Sequence, residues 1–288
     1  MITTRAYAKV NLGLEVLNKR LDGYHEILTI LQTIDLYDTV IFEPASEIAF
    51  TSDSVGLNSS DNLVVQAANL LKSTCGVTSG ASIRLNKKIP ISSGLGGGSS
   101  DAAATLKGLT QLWGLKLSIE DLLQIAAQIG SDVPFFLSGG TAIASGRGEL
   151  IRLLPSAELK WMVLLNPSFD VMNKTASMYS MLDKSHFSQG DLIRDVEDKI
   201  RQNKSIDSQS IFNVFEQVCL QIFPELKIYW QHFHDAGATN IHLAGSGLSM
   251  FTFLEFKEEG NLIKSVLERD FGLESSIVSF IQPIEDVE

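Results

Sequence analysis

The sequence predicts an α+β fold in two lobes, divided near residue 155. Three observations predict it. Strand and helix patterns alternate along the chain without the regular βα rhythm of a doubly wound sheet. A glycine-rich run at residues 94–98 separates a compact apolar strand from an amphipathic helix. After Pro155 the composition changes, and several helical patterns follow one another before further strands.

Residues 2–17 alternate weakly and end in an apolar run, which predicts a strand. Asp22-Gly23 centres a charged turn over 18–24. Residues 25–40 are apolar-rich, and 39–42 and 46–51 continue the β pattern. Leu63, Ala67, Leu70 and Leu71 stand at helix spacing within 62–73, with Asp61 as the predicted cap. A strand at 81–85 leads into the glycine run, and a helix is predicted over 100–113. A second helix covers 117–129, capped by Ser118. Residues 130–134 read as a turn, followed by an apolar step at 135–137 and a strand at 141–145. Beyond Pro155, a strand at 160–166 is ended by Pro167. Helices are then predicted at 174–182, 192–203, 209–223 and 225–234. Strands at 239–244 and 250–255 flank Gly245-Ser246-Gly247, and a helix at 258–271 and a strand at 275–281 complete the reading.

Composition narrows the function. With 44% hydrophobic and 20% charged residues the chain can build a buried core. It contains no run of about 18 apolar residues that would span a membrane. A net charge of −11 repels nucleic acid, and no basic stripe with interleaved aromatics compensates. No nucleic-acid or membrane partner is therefore expected. An anionic ligand would need a local positive site made of backbone N–H groups and a few placed Lys or Arg side chains. Cys75 and Cys219 are far apart with apolar neighbours, and no Cys/His cluster has metal spacing. Reduced thiols and a cytoplasmic location are expected. The first dozen residues carry Arg5, Lys9 and Asn11 without an apolar core, so no signal peptide is expected.

The segment Pro90-Ile91-Ser92-Ser93-Gly94-Leu95-Gly96-Gly97-Gly98-Ser99-Ser100 carries the strongest chemical signal. Glycines admit close backbone approach, and the helix start behind them offers unpaired N–H groups and the positive end of a dipole. That combination is a phosphate cradle. It is not a Walker A loop, since no Lys follows, nor a Rossmann fingerprint, since Ser99 stands at the third glycine position. Ser99 and Ser100 either cap the helix or reach the ligand. Lys9 lies inside an apolar strand pattern, where it either snorkels to water or serves the site. Asp132, two residues ahead of Pro134, either opens a helix or acts on a substrate hydroxyl. An aspartate that orients a hydroxyl and a lysine that stabilises the developing alkoxide would serve group transfer beside such a loop. Gly245-Ser246-Gly247 alone reads as a hairpin turn.

Taken in order, Ala8-Lys9-Val10-Asn11-Leu12, residues 90–104 and Ala244-Gly245-Ser246-Gly247 resemble the three motifs of the GHMP kinases, the superfamily of galactokinase, homoserine kinase and mevalonate kinase. Further segments are similar to one branch of that superfamily: Arg20-Leu21-Asp22-Gly23-Tyr24-His25-Glu26, Asp35-Leu36-Tyr37-Asp38, Gly130-Ser131-Asp132-Val133-Pro134-Phe135-Phe136 and Asn213-x-Phe215-Glu216. Gly23-Tyr24-His25 singles out the branch, and the resemblance covers nearly the whole chain. It implies a two-lobed GHMP kinase fold, with a nucleotide-binding lobe over 1–155 and a substrate-side lobe over 156–288. It implies ATP and Mg²⁺ as cofactors, with the metal ligands left unassigned. The implied substrate is a small molecule carrying a cytidine diphosphate group, phosphorylated on a methylerythritol 2-hydroxyl in the non-mevalonate route to isoprenoids. A monomer or weak homodimer is expected.

The same resemblance implies roles by position. Lys9 and Asp132 match the catalytic pair. Pro90, Ser93, Gly94, Gly96, Gly97, Gly98, Ser99 and Ser100 match the triphosphate loop, and Asn62 and Lys87 match positions near the nucleotide base. Asn11, Tyr24, His25, Thr175 and Tyr179 match substrate contacts, Tyr179 as the aromatic that stacks on cytosine. Before Thr175 the chain departs from the family's usual Val-Ser/Pro-Thr run, reading Phe169-Asp170-Val171-Met172-Asn173-Lys174. The alternatives are a kinase of homoserine or mevalonate type, or a non-catalytic nucleotide sensor.

Overall fold

Two long strands open the chain, β1 (Ile2–Lys19) and β2 (His25–Ala45), joined by the predicted turn around Asp22-Gly23. In this computed structural model, residues 1–54, 56–59, 61–167 and 173–281 are described. The chain forms two compact units, and both long strands contribute to each. Unit 1 comprises Met1–Ala8, Leu36–Ile91 and Gly96–Gly139; unit 2 comprises Lys9–Asp35, Ser92–Leu95 and the chain from Gly140 onward. The units are thus interleaved in sequence. Residues 169–172, where the chain departs from the family pattern, lie outside the described residues.

In unit 1 the second half of β2 pairs antiparallel with β4 (Gly80–Asn86), Val40 opposite Leu85 and Phe42 opposite Ile83. On its other side β4 takes β3 (Ile48–Ser52) in parallel. Helices α1 (Leu63–Thr74), α2 (Gly97–Leu112), α3 (Ile119–Ile129) and α4 (Val133–Ser138) pack with them. The α1 cap is Asn62, whose side chain accepts from Val64 N, rather than Asp61 one residue earlier. Ser118 caps α3 as predicted, in a reciprocal box with Asp121. α2 begins three residues earlier than the apolar pattern predicts, because Gly96 at φ 73 turns the chain directly into the helix. Segment 133–138 is helical rather than irregular, since Pro134 falls in the first turn, where its missing N–H costs nothing.

In unit 2 the first half of β2 pairs with β5 (Thr141–Gly146), Ile30 opposite Ile143, and β5 pairs with β6 (Leu150–Leu154). A second, antiparallel sheet has the order β10-β7-β9-β8, from β7 (Trp161–Leu165), β8 (His242–Leu243), β9 (Met250–Leu254) and β10 (Ser275–Ser279). Its helices are α5 (Lys174–Ser180), α6 (Asp191–Arg201), α7 (Cys219–Ile222), α8 (Leu226–Asp235) and α9 (Lys257–Phe271). Leu14, Val163, Phe215, Phe233, Leu243 and Met250 centre one apolar cluster. The helix predicted over 209–223 does not form. The segment breaks into 3-10 turns at Ser208–Ser210 and Val214–Gln217 before the single turn of α7. Asn213 is the cause: it is extended, and its side chain accepts from Phe215 N. Among the described residues no helix is long and apolar enough to cross a membrane.

Candidate active site

β1 places Lys9 and Asn11 on one face, since alternate strand residues point the same way. Both are buried, at 5% and 4% exposure, so Lys9 does not snorkel to water. Lys9 Nζ donates to Asn11 Oδ1 at 2.8 Å. Asn11 Nδ2 donates to Thr29 Oγ1 at 2.8 Å, and Thr29 in turn donates to Gly13 O at 2.6 Å. Each link spends its donor on the next, so the amide of Asn11 has one orientation and holds the ammonium of Lys9 in place. Thr29 carries no motif of its own. It joins the site only because β2 lies beside β1.

Two glycine segments of unit 2 meet backbone to backbone. Ser249 N donates to Ser93 O, and Lys9 N donates to Leu95 O at 2.9 Å. Gly94 has φ +88, and a Cβ there would lie 2.0 Å from Ala244 O and 2.6 Å from Gly247 Cα. At Gly245 a Cβ would reach within 3.0 Å of Asn11 Oδ1 and 3.2 Å of Lys9 Nζ. Segment 244–247 thus links β8 to β9, as a hairpin turn would, and also closes over the Lys9–Asn11 pair. Asn213 and Glu216 hold it there. Asn213 Nδ2 donates to Leu243 O and Gly245 O, and Glu216 Oε1 accepts from Leu243 N. Thr175 Oγ1 lies 3.1 Å from Ser246 Oγ.

Unit 2 also gathers the aromatic residues. His25 and Tyr179 stack with ring centroids 5.0 Å apart, and Tyr179 meets Phe215 edge-on at 4.9 Å. Burial, and secondarily the charge of Lys19, holds the His25 imidazole below its usual pKa. Tyr24 turns elsewhere: it is 56% exposed and lies under the Arg147 guanidinium at 4.8 Å.

In unit 1 the rest of the glycine loop runs into α2. The first N–H groups of a helix have no acceptor within it, and of the glycines here Gly98 is exposed, with only Leu63 Cδ1 near where its Cβ would stand, whereas Gly97 faces Lys87 and Ile89. Neither serine caps the helix, because Gly96 occupies the cap. Ser100 Oγ donates to Tyr7 O at 2.7 Å. Ser99, half-buried, makes no side-chain hydrogen bond among the described residues. Asn62 is spent on the cap of α1 and on Leu57 O. Lys87 pairs with Asp38 and, at 2.9 Å, with Asp101. Its Nζ lies 2.8 Å from where a Cβ on Gly97 would stand. Asp38 also accepts from Lys88 N and Ile89 N, which fixes the approach to Pro90. Burial pushes Asp101 up to about 7, with Lys87 opposing and Asp38 adding to the shift. Both aspartates lie in segments that carry the resemblance, but only strand pairing and burial reveal that they share Lys87. Asp132 sits at the head of α4 and makes no side-chain cap bond there, so capping does not account for it.

Residues 62–140 match the model of the GHMP kinases N terminal domain. That match, the glycine-rich loop and the fold define a kinase of the GHMP class. A 4-diphosphocytidyl-2-C-methyl-D-erythritol kinase of Dehalococcoides mccartyi (strain CBDB1) is 42% identical over 286 residues, covering 99% of this chain and 100% of that one. One of Geobacillus thermodenitrificans is 40% identical over 88% of each chain. The chain belongs to the 4-diphosphocytidyl-2-C-methyl-D-erythritol kinase family. A crystal structure of a 4-(cytidine 5'-diphospho)-2C-methyl-D-erythritol kinase superposes with TM-score 0.81 at 29% identity, covering 97% of this chain and 99% of that one. Homoserine kinase from Cytophaga hutchinsonii shares the fold at TM-score 0.74 and 21% identity, covering 98% and 95%.

Proposed function

We propose that this kinase transfers the γ-phosphoryl group of ATP to the 2-hydroxyl of 4-diphosphocytidyl-2-C-methyl-D-erythritol, a step in making isoprenoid precursors. The stacked His25–Tyr179 pair carries the choice of substrate. A pyrimidine base is held by a flat ring and a hydrogen-bonding edge, and a neutral imidazole beside a tyrosine supplies both. Homoserine and mevalonate have no ring to place there.

A tertiary alcohol is a hindered nucleophile, so rate must come from in-line positioning and charge stabilisation. Lys9, fixed through Asn11 and Thr29, would stabilise negative charge on the transferred group or the attacking oxygen. Asp132 would accept or orient the proton of the attacking hydroxyl. Backbone N–H groups of the α2 first turn, with Ser99, would hold nucleotide phosphate oxygens, and Pro90, Ser93 and Gly94 shape the loop that leads to them. Asn62 and Lys87 would border the nucleotide base; Tyr24 and Thr175 would border the cytidyl substrate.

Among the described residues no group of three or more His, Cys, Asp or Glu is assembled for a metal. A Mg²⁺ ion suits this arrangement because it takes most of its ligands from phosphate and water. When bound it neutralises charge on the transferring phosphates.

The stretch to about residue 155 would serve the nucleotide and the remainder the substrate, except that Tyr24 and His25, at the turn into β2, belong to unit 2. A cytoplasmic monomer or weak dimer is the working form. A coupled assay of ADP release with the cytidyl substrate, homoserine and mevalonate tests the reading. Turnover of the cytidyl substrate alone is expected. Turnover of homoserine or mevalonate without it would overturn the assignment.

A further inference from the structure

Lys174 opens α5, yet it is only 7% exposed. Its Nζ donates to the carbonyl of Ser92, the residue that leads into segment 93–95. An ammonium carries three N–H donors, and that carbonyl takes one of them. Among the described residues no carboxylate stands within ion-pair distance of it. Desolvation, joined by repulsion from the ammonium of Lys9, lowers Lys174 to about 8. Unit 2 therefore buries two lysines close enough to repel each other. Both are tied to the same short segment: Lys174 through its side chain to Ser92, and Lys9 through its main chain to Leu95. The neighbouring Thr175 reaches Ser246, and Gly245 closes over Lys9. For Lys174, with no carboxylate beside it among the described residues, burial of the charge is costly unless a bound anion completes it.

We propose that Lys174 is a second phosphate-binding ammonium of unit 2, acting with Lys9 on an anionic phosphate oxygen. The inference rests on the kinase reading above. That oxygen belongs to the nucleotide triphosphate or to the diphosphate of the cytidyl substrate, and kinetics separate the two. The competing role is a strut, in which Lys174 merely fastens α5 to Ser92.

The test is steady-state kinetics with both substrates varied, for the wild type and for Lys174→Arg, Lys174→Gln and Lys174→Met. Thermal unfolding of each variant reports whether the fold is kept. Glutamine keeps a donor for Ser92 O but loses the charge, so a strut would tolerate it. Expected is a loss of about ten- to hundredfold in kcat/KM for Gln and Met, as for a hydrogen bond to a charged group, with partial recovery in Arg. A raised KM for ATP assigns the oxygen to the nucleotide, and a raised KM for the cytidyl substrate assigns it to the diphosphate. A fall in kcat alone assigns it to the group in transfer. Wild-type kinetics in the Gln variant, or equal losses in Gln, Met and Arg, would overturn the proposal. If the Met variant unfolds, the Gln–Arg comparison decides. If the wild type fails to turn over the cytidyl substrate, the kinase reading has failed instead. Calorimetric titration of the same variants with inorganic tripolyphosphate then reads the ammonium directly, and unchanged affinity in Gln would overturn it.

Discussion

Two glycines four residues apart in the glycine-rich loop should respond to alanine in opposite directions. Gly94 has φ +88, which costs an L-residue about 1–2 kcal/mol. Its new methyl would lie 2.0 Å from Ala244 O and 2.6 Å from Gly247 Cα, backbone atoms that cannot rotate away. Overpacking of this kind adds about 1–3 kcal/mol. Gly94→Ala should therefore lose about 2–5 kcal/mol, a large share of the roughly 5–15 kcal/mol that holds a domain together. At about 2–4 °C per kcal/mol for a chain of this size, Tm should fall by about 4–20 °C. Gly98 lies in the first turn of α2, and a methyl there meets only Leu63 Cδ1, at an ordinary 3.6 Å. Gly98→Ala should keep Tm or raise it, since alanine in a helix is favoured over glycine by about 0.5–1 kcal/mol. Its exposed methyl would stand where phosphate approaches, so KM for ATP should rise without loss of stability. Differential scanning calorimetry with ATP titration reads both effects. Equal melting temperatures for the two variants would refute the backbone-contact reasoning. Unchanged ATP affinity in Gly98→Ala would refute the cradle.

Asn11→Leu strips the partners from the Lys9 ammonium and the Thr29 hydroxyl together. It should cost about 2–4 kcal/mol in urea unfolding and lower kcat at least tenfold; wild-type kcat would show that Lys9 needs no positioning. Asp132→Ala should still bind both ligands by calorimetry while kcat falls by about 10²–10⁴, and unchanged turnover would remove its catalytic assignment. Tyr179→Leu should raise KM for the cytidyl substrate about tenfold or more and spare KM for ATP, whereas Tyr179→Phe should keep both, since base stacking is worth about 1–3 kcal/mol. The carboxyl of Asp101 rises from 3.8 unfolded to about 7 folded, so folding favours its protonated form. Its contribution is fully present below pH 3.8 and is lost as pH rises through 7. Asp101→Asn should therefore flatten the fall in Tm between pH 5 and pH 8, and an unchanged slope would place that loss in another group.

The local chemistry of the chain was legible before any fold. The glycine run announced a helix start. Lys9 and Asn11, two apart in a strand pattern, had to share a face. Ser118 had to begin a helix. These are short-range consequences of backbone sterics, side-chain period and capping, which need only a few neighbouring residues. Periodicity failed where long-range bonding overrode it. Residues 209–223 carry a helical pattern, yet Asn213 spends its amide on Leu243 and Gly245, and no continuous helix forms.

By itself, then, the sequence determined the class: an acidic α+β chain with a glycine-rich loop before a helix, a lysine in a strand pattern and the motif order of the GHMP kinases. Tertiary structure alone decided who holds whom. Thr29 orients Asn11 from 18 residues away, Asp38 pins residues 87–89, Lys174 reaches Ser92, and Tyr24 parts from His25 toward Arg147. Such partnerships depend on strand register and on which groups lose water together. Those are properties of the packed chain, and local spacing does not encode them.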